Sequence, residues 1–206
     1  MFKTLLLSTL LILYANMLSA QDKAQFPELK SLIDSLYQAD QQVQLDFIAA
    51  FQRGVSMDSI LIYERLKNET FKRHIPVVKN IIATYGYPSI EKVGKESAAN
   101  FFPLIQHADS DIKFQSEMLP IIKEQVEKGL INGADYAYLY DRIKVNSGKK
   151  QLYGTQLTYN EQNIAIPKPL KLKKGVNKRR AEFGMESLED YLNNATELHK
   201  KMNGLD

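Results

Sequence analysis

Apolar side chains recur three or four positions apart along most of the chain, which is the spacing expected of amphipathic helices. The first stripe starts after Pro27, a residue tolerated in the first turn of a helix, and runs through Phe51 to a stop at Gly54. Further stripes predict helices over residues 60–66, 71–85, 98–108, 112–126 and 134–145. Pro76 is expected to start its helix afresh or to kink it.

The pattern changes at Gln151, where apolar and polar residues begin to alternate. The segments QLYGTQLTY, NEQN and IAIPKPL have the character of a strand, a turn and a second strand. Beyond them, Ser187 and Asp190 resemble the capping box of a last helix that ends near Gly204. The sequence therefore predicts a mainly α (α+β) fold, a single-domain multi-helix bundle with one small β-hairpin near 151–168.

Residues 1–20 have the layout of a secretory signal peptide. Lys3 supplies the positive start, residues 5–13 form an apolar core, and Ser19 and Ala20 are small residues at a cleavage point. The alternative is a membrane anchor, but the apolar stretch is shorter than the roughly 20 residues that a spanning helix needs. We expect cleavage near Ala20, which leaves 21–206 as one helical domain in the periplasm or the medium, without a transmembrane segment.

Composition narrows the chemistry of this 206-residue chain. It contains no cysteine, which excludes disulfides, thiol catalysis, zinc–cysteine sites and iron–sulfur clusters. The formal net charge is only +3, so no bulk attraction to nucleic acid is expected. The charge is nevertheless uneven, because residues 168–180 contain seven lysines and arginines and no acidic residue. This basic run is either a binding surface for anionic polymers or membranes, or a solvated loop and helix start.

Polar residues concentrate between the helices predicted over 98–108 and 112–126. His107 is a candidate general base near neutral pH, and Asp109 could orient it or bind a metal. The structural alternative is that Asp109 or Ser110 caps the next helix while His107 complements the dipole of the preceding one. The spacing matches no specific metal signature, so no metal site is predicted, and no motif identifies a cofactor.

The helix predicted over 134–145 is apolar nearly all round, yet it contains Asp141 and Arg142. Charged side chains in a buried helix need partners, and these two neighbours point about 100° apart. His107 is a candidate partner for Asp141, and an anionic ligand is a candidate partner for Arg142, whose planar fork suits carboxylate or phosphate. The alternative is a structural network of ion pairs.

The first predicted strand of the hairpin has a row of hydrogen-bonding groups. If it is a strand, Gln151, Tyr153 and Thr155 share one face, and Gln156 lies on the other. Gly154 would permit a bulge or a close backbone approach. These side chains are candidates for holding a ligand, with a solvent-facing strand surface as the alternative.

Several short motifs occur together in a characteristic order. They are Tyr85-Gly86-Tyr87-Pro88, Gln106-His107-Ala108-Asp109, Ala137-Tyr138-Leu139-Tyr140-Asp141-Arg142, Gln151-Leu152-Tyr153-Gly154-Thr155-Gln156 and Arg179-Arg180. The combination resembles a bacterial family catalogued as domain of unknown function 6624, over about residues 60–195. Since that family has no established activity, the resemblance implies a shared fold and a shared polar site without naming a reaction.

The residues that match the family motifs are the polar ones that need partners. We therefore predict that His107, Asp109, Asp141, Arg142, Gln151, Tyr153 and Gln156 converge in one pocket, with the buried helix as its floor and the hairpin as its wall. The first hypothesis for function is a module of the cell envelope whose polar pocket holds the fold together or binds a small polar or anionic ligand.

Two other functions follow from the same sequence. The first is a hydrolase or transferase with His107 as general base, Asp141 or Asp109 orienting it, and Arg142 with the hairpin glutamines positioning the substrate. No serine or threonine stands in a known nucleophile motif, so such an enzyme would need activated water or a carboxylate. The second is a binder of anionic surfaces through the basic run at 168–180, where no aromatic residues interleave to stack on nucleic-acid bases.

Overall fold

A computed structural model describes residues 24–205, and this part of the chain contains eight helices and one two-stranded sheet. The helices are α1 (Pro27–Gln52), α2 (Met57–Tyr85), α3 (Ile90–Val93), α4 (Lys95–Gln106), α5 (Ile112–Glu127), α6 (Gly133–Asn146), α7 (Val176–Ala181) and α8 (Leu188–Asn203). Strands β1 (Leu157–Tyr159) and β2 (Ala165–Pro167) pair antiparallel between α6 and α7. The predicted mainly α fold with one small hairpin is confirmed. The signal peptide predicted over 1–20 lies outside the described residues.

The core forms where α1, α2 and α4 pack together and where α5 packs on α6. Each helix contributes one apolar stripe to it, as the spacing of the sequence predicts. Fully buried members include Ile33, Val78, Phe101, Ile105, Ile122 and Leu139. Burying each such side chain contributes roughly 1.5–3 kcal/mol, so these contacts hold the helix ends in fixed positions. Within the described residues, no helix is long and apolar enough to span a membrane.

Helix α2 is continuous through Pro76, so the expectation that a helix restarts at this proline is wrong. The separate helices predicted over 60–66 and 71–85 are therefore one element. Ile75 on one side of the proline and Val78 on the other are both buried in the core. Packing on both sides therefore outweighs the one backbone hydrogen bond that proline cannot donate.

The boundaries around the polar junction are close to those predicted. His107 terminates α4 as its C-cap, whereas Asp111 rather than Asp109 or Ser110 caps α5, accepting a hydrogen bond from the Phe114 N–H at 3.0 Å. The Asp109 carboxylate accepts hydrogen bonds from the Arg142 guanidinium instead. The junction between α4 and α5 thus leaves its polar side chains free to face other helices.

The last helix follows its predicted signals. The Ser187 hydroxyl accepts a hydrogen bond from the Asp190 N–H at 3.1 Å, and α8 ends at Gly204, whose φ is +62°. The hairpin turn also matches the prediction, because the Asn160 side chain accepts hydrogen bonds from the backbone of Gln162 and Ile164. However, β1 starts at Leu157 and not at Gln151, so residues 151–156 require a separate description.

Candidate functional site

A polar cleft of about 480 Å³ opens where the α4–α5 junction meets α1, α2 and α6. We call it the junction cleft. It is lined by Gln44, Lys67, Asn68, Phe71, Lys72, His107, Asp109, Ser110 and Arg142. Three predicted site residues, His107, Asp109 and Arg142, are therefore brought together. Ser110 comes from the same junction, and the rest of the lining comes from α1 and α2, which the sequence did not connect with them.

His107 is held in the wall of the junction cleft by a carboxylate that sequence reasoning missed. Its Nδ1 lies 2.9 Å and 3.0 Å from the two carboxylate oxygens of Asp40, which is 1% exposed. The ring of Phe71 stacks on the imidazole with a centroid distance of 4.6 Å. Since an ionised carboxylate only accepts hydrogen bonds, it favours the proton on Nδ1. The hydrogen bonds of the imidazole with residues 24–205 all involve Nδ1, so Nε2 is the ring nitrogen that remains for a ligand.

Asp40 belongs to the apolar stripe of α1 by its spacing. Leu29, Ile33 and Leu36 precede it at intervals of three or four, and Phe47 continues the stripe. A carboxylate at a core position must be paired, because an unpaired buried charge is costly. The amide groups of Gln41 and Gln44 supply further hydrogen bonds to it, at 2.9 Å and 3.4 Å. The signal that could have identified Asp40 was thus an acidic residue on the buried face of an amphipathic helix.

Arg142 pairs with Asp109 rather than standing free for a ligand. The guanidinium Nε and Nη2 donate to the two carboxylate oxygens at 2.6 Å and 2.5 Å, a bidentate arrangement. The Asn146 amide donates to the same carboxylate at 2.9 Å. This ion pair ties α6 to the α4–α5 junction at the edge of the cleft and leaves the pair with no net charge.

Lys67 and Lys72 give the junction cleft its uncompensated positive charge. Neither lysine forms a salt bridge within the described part of the chain. The Lys67 Nζ lies 4.1 Å from the centroid of the Phe47 ring, in a cation–π contact. Burial lowers the pKa of Lys67, and the Arg142 charge lowers it further, whereas Glu64 and Asp109 act in the opposite direction.

Asp141 does not contact His107, so the partner proposed for it from the sequence is wrong. Its carboxylate is fully buried and accepts hydrogen bonds from the backbone N–H groups of Leu152, Tyr153 and Thr155 at 2.7–3.1 Å. The Thr155 hydroxyl adds one more at 3.1 Å. Asp141 therefore serves as the anchor around which residues 151–156 fold, and it does not line the junction cleft.

The strand predicted to start at Gln151 is also wrong for residues 151–156, because this segment is a loop wrapped around Asp141. The Gln151 amide donates to the backbone carbonyls of Gln156 and Lys168 at 2.9 Å and 2.7 Å, and accepts from the Gln156 N–H. Tyr153 and Thr155 are buried, and burial raises the pKa of Tyr153 to about 12. The loop is favoured over a strand because the Asp141 carboxylate accepts hydrogen bonds from the N–H groups of the loop.

Two arginines of the basic run point into this loop instead of into solvent. Arg179 donates to the Leu152 carbonyl at 2.9 Å and 3.1 Å, and the fully buried Arg180 donates to the Tyr153 carbonyl at 2.9 Å. The run is therefore not one uniform basic surface. Its exposed charge comes from lysines, namely Lys171, Lys173, Lys174 and Lys178, with Lys168 half-buried.

The predicted site residues thus fall into two groups. His107, Asp109 and Arg142 line the junction cleft, whereas Asp141, Gln151, Tyr153, Thr155 and Gln156 build the anchored loop and do not line it. The single pocket expected from the sequence is therefore divided, with α6 supplying one charged residue to each side. Among residues 24–205, no three His, Asp or Glu side chains are close enough together to hold a metal ion.

Comparison with known proteins yields one match. No curated protein and no solved structure matches the chain significantly. A family model described as a family of unknown function, DUF6624, matches residues 27–201. The matched region extends beyond the resemblance over 60–195 and includes all of α1, and with it Asp40. The chain therefore belongs to the family of unknown function DUF6624.

Proposed function

We propose that this protein binds a small anionic ligand, a carboxylate or a phosphate, in the junction cleft. The single observation that carries the proposal is the pair of lysines, Lys67 and Lys72, that line the cleft and form no salt bridge with any residue from 24 to 205. Two positive charges that line one concave site make its potential positive, and the field of a cleft is focused by its low-dielectric walls. An anion that enters the cleft gains attraction from both groups.

The neutral donors of the cleft support the same conclusion. Asn68 and Ser110 offer an amide and a hydroxyl beside the lysines, and His107 offers a ring nitrogen. A few convergent polar groups of this kind orient a ligand after charge has attracted it. Arg142 contributes less, because Asp109 already occupies two of its donors.

The proposal is tested by thermal unfolding with inorganic phosphate and with succinate, against sodium chloride at equal ionic strength. A ligand at 100 times its Kd stabilises a protein by about 2.7 kcal/mol, which for this length raises Tm by roughly 5–10 °C. Lys72→Met, a change at an exposed position, should abolish most of this shift. Lys123→Met removes a lysine from α5 outside the cleft and should leave the shift unchanged. Equal shifts in chloride, or in both variants, would contradict the proposal.

Catalysis by a hydrolase or transferase is a second candidate function, and the contact between Asp40 and His107 favours it. A carboxylate that holds one ring nitrogen leaves the other as a proton acceptor of fixed orientation. In this arrangement Asp40 takes the orienting role that the sequence assigned to Asp141 or Asp109. Binding of anionic surfaces through residues 168–180 is less well supported, because Arg179 and Arg180 are used within the fold.

We also propose that the protein acts outside the cytoplasm after its signal peptide is removed near Ala20. The support is the charge and hydropathy pattern of residues 1–20. Expression of the full chain in a bacterium, followed by fractionation and mass determination, tests this. A periplasmic or secreted product whose first residue is Gln21 is expected, whereas an intact N-terminus in the membrane fraction would favour the anchor.

A further inference from the structure

We propose that the junction cleft hydrolyses phosphate monoesters, with His107 as the general base that activates water. This inference rests on the proposed binding of an anion at the same site. It goes further by naming the charge of the substrate, the group that takes the proton and the residue that positions that group.

The charge of the cleft selects a dianion. Among the residues that line the cleft, Arg142 and Asp109 form an ion pair that is neutral as a unit, and Lys67 and Lys72 supply the positive charge; the Asp40 carboxylate lies behind His107 and is not part of the lining. A phosphate monoester carries about −1.5 to −2 at pH 7 and presents three strong acceptor oxygens. A monocarboxylate carries only one charge and would leave one lysine uncompensated. The phosphoryl group combines a charge near −2 with three acceptor oxygens on a single atom, which matches two lysines and several neutral donors in one small cleft.

The imidazole is oriented for proton abstraction from a group inside the cleft. The buried carboxylate of Asp40 fixes Nδ1 as the protonated nitrogen, and the stacked ring of Phe71 fixes the plane of the imidazole. Nε2 then carries the lone pair of a ring that lines the cleft. A carboxylate in this position holds the tautomer and stabilises the imidazolium that forms when the base takes a proton. Asp40 is thus a positioning residue, since it acts through His107.

Hydrolysis of a phosphate monoester needs one group that accepts a proton from water and one that donates a proton to the leaving oxygen. His107 Nε2 takes a proton from water, and the water oxygen attacks phosphorus as the ester P–O bond breaks. The electron pair of that bond stays on the leaving oxygen, which takes a proton from the Lys67 ammonium. Exchange with solvent then returns the proton from His107 to Lys67, and the products are an alcohol and inorganic phosphate. Lys67 lines the cleft, and burial lowers the pKa of its ammonium group, which favours this donation.

The test measures release of inorganic phosphate by the full chain from para-nitrophenyl phosphate and from a set of alkyl phosphates. Binding of inorganic phosphate is measured in parallel by calorimetry. His107→Gln keeps an amide donor for Asp40 and should lower kcat by about 100-fold or more, with phosphate affinity changed less than about threefold. Asp40→Asn should lower kcat with little change in KM, which a merely structural loss would not produce. Lys123→Gln on α5 is the matched control and should retain full activity.

The outcomes separate the two proposals. Wild-type protein that binds phosphate but releases none from any ester overturns hydrolysis and leaves the binding proposal standing. Protein that neither binds phosphate nor releases it overturns both. Full activity in His107→Gln overturns the role of the imidazole as base. If Asp40→Asn fails to fold, the comparison of His107→Gln with Lys123→Gln still tests whether His107 is the general base.

Discussion

The Nδ1 atom of His107 lies 2.9 Å from a carboxylate oxygen of Asp40, although 67 positions separate the two residues. The contact joins the C-terminal end of α4 to the middle of α1. Because the carboxylate is 1% exposed, it depends on groups of the protein, and on His107 above all, for its hydrogen bonds. The contact therefore links the stability of the α1–α4 interface to the orientation of the His107 side chain in the junction cleft.

His107→Ala should lower the free energy of unfolding by about 3 kcal/mol, because it leaves a buried carboxylate without its main partner. Removal of both groups in the double variant Asp40→Leu, His107→Ala should cost less than the sum of the single changes Asp40→Leu and His107→Ala, since no unpaired charge remains. Urea denaturation of the four proteins measures this coupling. Strictly additive effects would show that the two side chains do not stabilise one another.

Asp141→Asn should destabilise the protein strongly, by about 3 kcal/mol or more. The substitution places an amide NH₂ against a shell made of N–H and O–H donors from Leu152, Tyr153 and Thr155. At least one buried donor must then stay unpaired, which is costly in the interior. Denaturant unfolding measures the loss, and Asp58→Asn at an exposed position of α2 is the control, expected within about 0.5 kcal/mol of wild type. A similar small effect in both variants would contradict the anchoring role of Asp141.

Gly154→Ala should cost more than Gly148→Ala, although both glycines have a positive φ, of +77° and +69°. Each alanine pays about 1–2 kcal/mol for the left-handed backbone. At Gly154 the added Cβ would also come within 2.8 Å of the Leu188 Cδ1, whereas at Gly148 it would meet no atom within 4 Å. The difference between the two melting temperatures thus isolates the packing of α8 against the anchored loop. Equal losses would mean that Leu188 moves aside freely.

The sequence predicts most helix boundaries because their causes are local. Pro27 at the first turn, the capping box at Ser187 and the stop at Gly204 each act within a few residues of the helix end. The prediction that a helix restarts at Pro76 was wrong because it considered only the local effect of proline, whereas packing against distant residues keeps the helix continuous. The buried residues on both sides of it hold α2 continuous, and the pattern of one segment does not reveal what packs against it.

The candidate site was predicted in part for the same reason. His107, Asp109 and Arg142 were found because polar residues at a helix junction, or inside an apolar helix, need partners wherever they lie. The identity of those partners depends on the packing of distant helices. For this reason Asp40 was missed as the partner of His107, and His107 was wrongly proposed as the partner of Asp141. Residues 151–156 have the alternation of a strand, but a carboxylate from α6 satisfies their N–H groups and makes a loop the better solution.

Asp135 should make stability depend on pH in a direction opposite to that of a paired carboxylate. Burial in the depression that it shares with Lys95 and Phe102 raises its pKa to about 6, from an ordinary value of 3.8. Between about pH 4 and pH 6 the folded protein therefore retains a proton that the unfolded chain has released. Since the unfolded state binds fewer protons there, the contribution of Asp135 to the free energy of unfolding falls as pH rises through this window.

Asp135→Asn removes that titration while it keeps the size and polarity of the side chain. The difference in Tm between the variant and the wild type should therefore move in favour of the variant as pH rises from 4 to 7. Lys95 lines the same depression but forms no salt bridge with Asp135 within residues 24–205, so no ion pair is lost. Calorimetric scans at intervals of half a pH unit measure the difference. A difference that is constant across this range would show that the Asp135 carboxylate is as well solvated in the folded protein as in the unfolded chain.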